Sequence, residues 1–503
     1  MNKSLFGIYC IAAMVINQTA CAESLDRHSA YWTIQGQSQI KQLALPPKLK
    51  KAKNVILFIG DGMGPSTVTS ARILEGQQKG MQGEEHLLSF ERFPYTAFSK
   101  TYNVDAQVPD SAGTMTAIVT GVKTRIGVLS VGPESARGDC AASLSHQLPT
   151  ILEQAEEQGL MTGVVTSTRI THATPAALFA HVPDRDWEAD SNLPQVARDQ
   201  SCKDIASQLL NFNKGDGIDV ILGGGRQQFM ASTQIDPEYP SVKGKRADGQ
   251  NLIEQWLRNN GPSAQYVWNK AQFDAAKSQG GKLLGLFEPS HMQYESERSR
   301  DGAGEPSLTE LTETAIKRME SSPKGFFLMV EAGRIDHAHH EGLAGKALLD
   351  TVELSRAVEK AKSLTRDDET LIIVTADHSH TLTMSGYPAR GNPILGKVFD
   401  IETGGVLALD LLGKPYTTLG YSNGPGAWQN PQNPAMARPD LSDIDTESLD
   451  FKQHASIPLQ SETHSGEDVG IYAQGPMSHL VHGVMEQNLI YHIMHEALKK
   501  NPD

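Results

Sequence analysis

Residues 54–60 read NVILFIG, an apolar run that no charged residue interrupts, and the next residue is Asp61. A run of this kind is typical of a strand that is buried on both faces, as in a parallel sheet. Four later runs have the same character and each ends before polar residues or glycines: 163–166 (GVVT), 220–222 (VIL), 326–330 (FFLMV) and 370–375 (TLIIVT).

Helical patterns lie between these predicted strands. Apolar residues are spaced as on one face of a helix over 148–158, 308–319 and 343–364. Strands that alternate with helices predict an α/β fold, a doubly wound sandwich around a mostly parallel central sheet. Sites in such sheets form at the carboxyl ends of the strands, and four polar residues fall there: Asp61, Glu331, Asp377 and His378.

Two segments differ from this core. Residues 1–22 resemble a secretory signal peptide, with an apolar stretch and a cleavage site after Ala22, which leaves 23–503 as the mature chain in the periplasm or outside the cell. A membrane anchor or a lipoprotein linkage on Cys21 is the alternative. Residues 388–460 are rich in Gly, Pro, Asn and Tyr and predict an inserted, loop-rich subdomain, although a disordered linker has a similar composition.

Composition narrows the class of protein. The 503 residues carry 45 Lys+Arg against 59 Asp+Glu, a formal charge of −14, which disfavours a nucleic-acid partner. We expect no transmembrane anchor after removal of the signal. Four cysteines are present, and cleavage leaves Cys140 and Cys202. In an exported protein these two favour a disulfide over the alternative of two buried thiols.

A set of carboxylates and imidazoles predicts a metal centre. Asp336 and His340 are four residues apart, which places both side chains on one face of a helix. Taken singly, each of these residues is better explained as a helix cap or a surface group. Together with Asp61, Glu331, Asp377, His378 and His464 they form a donor set that suits zinc and magnesium.

Ser111 is a candidate nucleophile. It stands at the start of a helix of small residues, where the helix N-terminus stabilises negative charge on an oxygen or a phosphate. A simple N-cap serine is the alternative. Neither a G-x-S-x-G elbow nor a Ser-His-Asp arrangement frames it, so a metal is the natural means of activation.

With these residues collected, the chain resembles the alkaline phosphatase family over almost the whole mature length. Six stretches in this order carry the resemblance: 61–64 (DGMG), 110–112 (DSA), 171–175 (THATP), 331–340 (EAGRIDHAHH), 375–380 (TADHSH) and 463–468 (THSGED). The resemblance implies the family fold and a broad-specificity hydrolase of phosphate monoesters, with a phosphoserine intermediate on Ser111.

The resemblance also implies where each metal is held. One zinc would be bound by Asp336, His340 and His464. The second zinc would be bound by Asp61, Asp377 and His378 with Ser111, and magnesium by Asp61, Thr174 and Glu331. Arg185 would hold the phosphate, and the other residues implied at the substrate are Asp110, His172 and His337.

Histidines at 172 and 337 resemble the animal branch of the family, since enteric bacterial enzymes have Asp and Lys there. The positions of Cys140 and Cys202 match the disulfide of the animal enzymes. Residues 388–460 match their dimer-forming crown, residues 23–50 their N-terminal arm, and Tyr387 a tyrosine that reaches the partner's site, so the resemblance implies a homodimer. It also implies a possible calcium site, whose ligands would be Glu238, the Phe287 carbonyl, Glu288 and Glu305.

Three rival functions fit parts of the sequence. A sulfatase needs a C/S-x-P-x-R context, whereas Ser111 is followed by AGTM. Metal-dependent diesterases usually keep only two metals and lack the magnesium-type Glu. A zinc-storage protein of the exported compartment would explain the His/Asp clusters, but not a serine at a helix start or Arg185.

Overall fold

The computed structural model describes residues 48–277, 279–426 and 438–499. The predicted signal peptide, and the predicted arm up to residue 47, lie outside the described residues. From Lys48 onward the described residues form one compact unit. In this part of the chain, no helix has the length and apolar character needed to cross a bilayer.

Thirteen α-helices occur among the described residues. In chain order they are α1 (Pro65–Gln78), α2 (Ser111–Thr120), α3 (Cys140–Ser143), α4 (Ile151–Glu157), α5 (Ala173–Ala176), α6 (Gln195–Asp199), α7 (Ile205–Leu210), α8 (Leu252–Asn260), α9 (Lys270–Ala276), α10 (Leu308–Met319), α11 (Arg334–His340), α12 (Ala344–Leu364) and α13 (Leu489–Leu498). Five short 3₁₀ segments accompany them: Ser89–Arg92, Asp190–Asn192, Arg226–Phe229, Arg298–Arg300 and Ser478–Leu480.

Seventeen strands occur in the same described part of the chain. They are β1 (Asn54–Gly60), β2 (Tyr95–Lys100), β3 (Met161–Arg169), β4 (Val220–Gly224), β5 (Gln265–Val267), β6 (Leu283–Leu286), β7 (Phe326–Ala332), β8 (Thr370–Thr375), β9 (Ser379–His380), β10 (Leu382–Met384), β11 (Phe399–Asp400), β12 (Val406–Leu407), β13 (Leu419–Gly424), β14 (Ala455–Pro458), β15 (His464–Ser465), β16 (Val469–Gln474) and β17 (Gly483–Glu486).

Ten of these strands form one central sheet in the order β17-β2-β16-β8-β1-β7-β3-β4-β6-β5. Only β16 runs antiparallel to both of its neighbours, β2 and β8; the other pairings are parallel. The α/β fold with a mostly parallel sheet is therefore confirmed.

The unbroken apolar runs follow from the burial of both sheet faces. In β1, Val55, Leu57 and Ile59 pack into one hydrophobic cluster, together with residues of α2, α4 and α13. Ile56 and Phe58 pack into the other cluster, with residues of α1, α10 and α12. Because successive side chains of a strand point to opposite faces, a strand covered on both sides needs apolar residues at every position.

Strand register brings the carboxyl ends of the central strands to one level. Ile59 of β1 lies opposite Glu331 of β7 on one side and Thr375 of β8 on the other. Thr166 of β3 also pairs with Glu331. Asp61 and Asp377, each two residues beyond the strand positions paired here, therefore emerge beside Glu331 at the same edge of the sheet.

The predicted insertion contains packed structure where it is described. β11 pairs with β12, and β13 pairs with both β10 and β14. Residues 427–437 lie outside the described residues. A disulfide joins Cys140, the first residue of α3, to Cys202, which follows α6, with an S–S distance of 2.07 Å and a Cα–Cα distance of 6.0 Å.

Candidate active site

The predicted metal ligands meet at the carboxyl edge of the sheet. Asp61 follows β1, Glu331 belongs to β7, and Asp377 and His378 follow β8; all four are fully buried. Gly62 makes the turn after Asp61 with φ +68°, a conformation that favours glycine. A Cβ there would lie 2.4 Å from the ring of His380, so only glycine allows this close approach.

Asp336 is the hub of the first ligand group. Its Oδ1 lies 3.4 Å from Nε2 of His340 and 3.3 Å from Nε2 of His464. The other ring nitrogens face carbonyls: Nδ1 of His464 lies 2.8 Å from the Pro109 oxygen, and Nδ1 of His340 contacts the Glu462 oxygen. A histidine whose Nδ1–H donates to a carbonyl presents a bare Nε2, which is how metal-binding imidazoles are oriented.

The second group surrounds His378. Its Nε2 lies 3.4 Å from Oδ1 of Asp61, 3.4 Å from Oδ2 of Asp377 and 3.1 Å from Oγ of Ser111. The ligand atoms of Asp61, Asp336 and His378 all lie within 4.8 Å of one another. The predicted nucleophile therefore contacts the same imidazole nitrogen that faces two carboxylates.

The third group lies on the other side of Asp61. Oγ1 of Thr174 is 3.5 Å from Oδ2 of Asp61, and Oε2 of Glu331 accepts hydrogen bonds from two threonine hydroxyls of β3, Thr166 and Thr168. Asp61, Glu331 and His172 bring their ligand atoms within 4.8 Å of one another. His172 was predicted at the substrate, and the structure places it against these carboxylates.

The electrostatics of this edge fit a bound cation. Burial, followed by repulsion between neighbouring carboxylates, raises the pKa of Asp61 and of Asp377. Burial and the Asp377 charge likewise raise the pKa of Glu331 to about 7. Oδ1 of Asp61 and Oε1 of Glu331 are buried without a hydrogen-bond partner within the described residues. Divalent cations would satisfy these orphaned oxygens, and oxygen with imidazole donors suits zinc and magnesium.

Ser111 begins α2, and Asp110 is the N-cap of that helix. Oδ1 of Asp110 accepts from the Gly113 N–H at 3.1 Å and from Nδ2 of Asn103 at 3.0 Å. Its Oδ2 accepts from Arg185 at 3.0 Å, and the other terminal nitrogen of Arg185 lies 3.3 Å from Nε2 of His172. Although burial acts against it, Arg185 holds the pKa of Asp110 below its usual value.

Comparison with known proteins decides the family. The alkaline phosphatase family model matches residues 52–500. The chain belongs to the alkaline phosphatase family. It is 44% identical over 495 residues to the tissue-nonspecific isozyme of Gallus gallus, which covers 96% of this chain and 92% of that protein. The human tissue-nonspecific isozyme is also 44% identical, over 93% of this chain and 88% of its own length.

Solved structures of bacterial alkaline phosphatases share the fold at lower sequence identity. The enzyme of the Antarctic bacterium TAB5 has a TM-score of 0.59 and 22% identity, and covers 90% of this chain and 100% of that one. The Thermus thermophilus enzyme has a TM-score of 0.62 and 22% identity, over 90% of this chain and 93% of that one. Similarity to the animal branch, predicted from His172 and His337, is confirmed by the 44% matches.

Two residues of this alkaline phosphatase site were not singled out from the sequence. Nε2 of His380 lies 2.7 Å from Oδ1 of Asp336, and its Nδ1 contacts the carboxylate of Glu462. Burial alone would lower the pKa of His380, but the charge of Glu462 and the bond to Asp336 raise it to about 10. His380 lies within the TADHSH stretch; nothing near Glu462 in the sequence signals that it supports a metal ligand.

Two of the predicted calcium ligands, Glu238 and Glu288, lie close together beyond the end of β6. Glu238, Glu288 and Asp301 place carboxylate oxygens within 4.8 Å of one another. The Phe287 carbonyl faces this region and accepts from Arg226 at 3.0 Å. Glu305 lies beside the group: burial and the charge of Glu288 raise its pKa to about 9, and one of its oxygens accepts from the Gln293 N–H at 2.9 Å.

Asp301 was not predicted at this second site. Both of its carboxylate oxygens are buried without a partner within the described residues. It lies four residues before Glu305, in an acidic loop where the sequence alone does not distinguish a ligand from a surface carboxylate.

Proposed function

We propose that this phosphomonoesterase acts on a broad range of phosphate monoesters through a phosphoserine on Ser111, with two zinc ions and one magnesium ion at alkaline pH. The observation that carries the proposal is the position of the Ser111 hydroxyl. It lies at the N-terminus of α2, 3.1 Å from His378 Nε2, beside carboxylates whose buried oxygens have no partner. In the proposed assignment zinc is held by Asp336, His340 and His464 and by Asp61, Asp377 and His378, and magnesium by Asp61, Thr174 and Glu331.

The reaction has two displacements at phosphorus. The Ser111 hydroxyl releases its proton to water as its oxygen bonds to phosphorus, the bond from phosphorus to the alcohol oxygen breaks, and the alcohol leaves after taking up a proton from water. Water then attacks the phosphoserine, the Ser111 Oγ–P bond breaks, and inorganic phosphate leaves while the serine regains its proton. The bound metal ions supply Lewis acidity that lowers the pKa of the attacking oxygens and offsets charge on the leaving ones.

The chain's own residues orient the phosphoryl group. Arg185 is held by Asp110 on one side and His172 on the other, and its remaining N–H groups make no further hydrogen bond within the described residues. They could therefore bind two phosphate oxygens. The N-terminus of α2 adds a partial positive charge next to Ser111. Because these groups recognise phosphate and not the alcohol, we expect little selectivity among leaving groups.

The test compares wild type with Ser111→Ala, using Ser307→Ala, another helix-start serine, as the matched control. Wild type and the control should hydrolyse p-nitrophenyl phosphate, but not the diester or the sulfate, and should lose activity with a chelator. Ser111→Ala should trap no phosphoserine at acid pH and keep its zinc content by mass spectrometry. Phosphate trapped on Ser111→Ala would show that the nucleophile is another residue.

We also propose that the Glu238, Glu288 and Asp301 group binds calcium, with the Phe287 carbonyl and Glu305 completing it. Carboxylate and carbonyl oxygens are the ligands that calcium prefers, and repulsion among these acids disfavours the group without a cation. Calcium content of the purified protein tests this. Asp301→Asn should lose the calcium and keep the zinc; a variant with unchanged calcium content would exclude Asp301.

We further propose that the protein is exported with removal of residues 1–22. We also propose that it assembles into a homodimer. The signal-like N-terminus supports export, and N-terminal sequencing of the mature protein tests it: the chain should begin at Glu23. An uncleaved Met1 or a lipid on Cys21 would contradict this assignment.

A further inference from the structure

Three imidazoles from three different elements meet beside the catalytic edge. The ring of His291, from the loop after β6, lies 4.1 Å from the ring of His337 and 5.4 Å from the ring of His172, measured between centroids. The rings of His172 and His337 are 5.5 Å apart. His172 and His337 have predicted roles at the substrate, whereas no role has been assigned to His291.

Each imidazole of this histidine trio (His172, His291 and His337) faces one arginine. Arg185 lies 3.3 Å from Nε2 of His172, and Arg334 lies 2.9 Å from Nδ1 of His337. Arg169 contacts Nε2 of His291. A guanidinium only donates hydrogen bonds, so the nitrogens of His172 and His337 that face their arginines must accept. Both ring nitrogens of His291 face Arg169: Nε2 faces its guanidinium, and Nδ1 lies 3.3 Å from its backbone N–H. Burial, followed by the neighbouring charged groups, lowers the pKa of all three histidines.

Several hydrogen bonds hold His291 and its loop in place. Its partner Arg169 makes a bidentate pair with Glu188, at 2.8 and 2.6 Å. The loop on either side of His291 is tied to neighbouring strands: Gly225 donates to the Ser290 carbonyl at 2.6 Å, and Met292 donates to the Ser167 carbonyl at 3.1 Å. The ring of His291 is therefore held in place by its neighbours, and the rings of His172 and His337 pack against it.

The orientation of the His172 ring depends on packing against His291. Its Nδ1 is buried and has no hydrogen-bond partner within the described residues. Within this part of the chain, the ring makes one hydrogen bond, between Nε2 and Arg185. Ring packing, and not a second hydrogen bond, must set the angle of this imidazole. The angle of the ring determines whether Nε2 points at Arg185. It therefore also affects the orientation of the Arg185 guanidinium.

We propose that His291 is a positioning residue for the phosphate grip. Its ring holds His172 in the orientation that accepts from Arg185, while Asp110 holds the other side of the same guanidinium. Fixing both sides before substrate arrives lowers the entropy lost when Arg185 engages two phosphate oxygens. His291 itself touches no substrate. The inference rests on the proposed role of Arg185.

The experiment measures competitive inhibition by inorganic phosphate together with kcat and KM. His291→Ala should raise the Ki for phosphate and the KM for p-nitrophenyl phosphate about fivefold or more. The value of kcat should not fall in parallel, because weaker phosphate binding does not slow product release. His291→Phe keeps a ring against His172 and should restore most of the affinity. His146→Ala, which removes an imidazole from another part of the chain, is the control and should change neither value.

A double-mutant cycle separates positioning from a general structural role. If His291 acts through Arg185, His291→Ala should change the phosphate Ki little once Arg185→Ala is present. Additive effects in the double variant, or a His291→Ala protein with wild-type Ki, would overturn the inference. An unchanged Ki in Arg185→Ala alone would instead show that the proposed grip is wrong, so the two failures are distinguishable.

Discussion

Asp110 has two roles, the helix cap and the ion pair with Arg185, and different substitutions separate them. Its Oδ1 caps α2 through the Gly113 N–H, and its Oδ2 pairs with Arg185. Asn is as good an N-cap as Asp but carries no charge. We expect Asp110→Asn to keep the stability within about 1 kcal/mol and to lower kcat/KM about tenfold, because Arg185 loses its counterion.

Asp110→Ala should show both losses. It removes the cap as well, so the free energy of unfolding should fall by about a further 1 kcal/mol beside the kinetic defect. Urea unfolding and steady-state kinetics on the two variants measure these effects. Equal kinetic constants for wild type and Asp110→Asn would show that the charge on residue 110 is not needed.

Glu156 gives a pH dependence away from the active site. It is 1% exposed, and one of its oxygens has no partner within the described residues. Burial raises its pKa to about 7, above its usual value of 4.5. The folded state therefore holds the proton more tightly than the unfolded state, so this group lowers stability as the pH rises from about 4.5 to about 7.

Replacing Glu156 by Gln removes that titration. We expect Glu156→Gln to stabilise the protein at pH 8 by about 1–3 kcal/mol, and to have little effect near pH 4.5. Urea midpoints at the two pH values measure the difference. The exposed neighbour Glu157→Gln is the control and should show no such pH-dependent gain; a gain of equal size at both pH values would argue against titration as the cause.

At the scale of elements, the long buried strands were the most predictable part of the fold. β1 and β8 have the predicted bounds, and α10 spans the predicted 308–319. α4 begins at Ile151, three residues later than predicted, because Thr150 is its N-cap and forms a capping box with Glu153. Apolar runs and capping residues are local features of the sequence. They therefore predict the bounds of buried strands and helices without any information on the rest of the chain.

The rest depended on contacts between distant parts of the chain. Asp301 approaches Glu238 although it lies 63 positions later in the sequence, and Glu462, just before β15, contacts His380 of β9. His291 meets His172 and His337 only after its loop, the start of α5 and helix α11 have folded together. A single sequence contains no local pattern for such contacts, so these neighbouring residues were missed, although the residues predicted to bind metal do lie together in the structure.

The capping box of α10 allows a test at this scale. The Ser307 hydroxyl accepts from the Glu310 N–H at 3.2 Å, and the Glu310 carboxylate accepts from the Ser307 N–H at 3.0 Å. Ser307→Ala should lower the free energy of unfolding by about 1 kcal/mol and leave activity unchanged. Ser321→Ala, an exposed serine just beyond the same helix, is the control; equal urea midpoints for the two variants would contradict the capping argument.

For the whole molecule, charge balance at the catalytic edge links metal content to stability. Asp61, Glu331 and Asp377 are fully buried, and their repulsion opposes folding when no cation is present. Chelation should therefore lower the thermal midpoint by more than about 5 °C. Ser111→Ala keeps every carboxylate and should show the same drop in calorimetry. If chelation left the thermal midpoint of wild type unchanged, the stability of the protein would not depend on a metal ion bound by these carboxylates.

An exposed apolar surface supports the proposed dimer. In the insertion, Leu411 is fully exposed, and Ile401, Val406 and Leu412 are each about three-fifths exposed. A cluster of this kind marks an interaction site. Because the insertion matches the position of the dimer-forming crown in the animal enzymes, we expect a second copy of this chain to bind here. Tyr387, 69% exposed, would then lie close to the partner chain.

Charges placed in this surface should separate the subunits. We expect the double variant Leu411→Asp, Leu412→Asp to run as a monomer in size exclusion with light scattering, while Thr403→Asp, in the turn between β11 and β12, stays dimeric. The ligand groups described here all come from one chain, so the monomer should still form phosphoserine on Ser111. Its KM should change instead if Tyr387 reaches the partner's site, as the resemblance to the animal enzymes implies. A double variant that remains dimeric would place the interface on another surface.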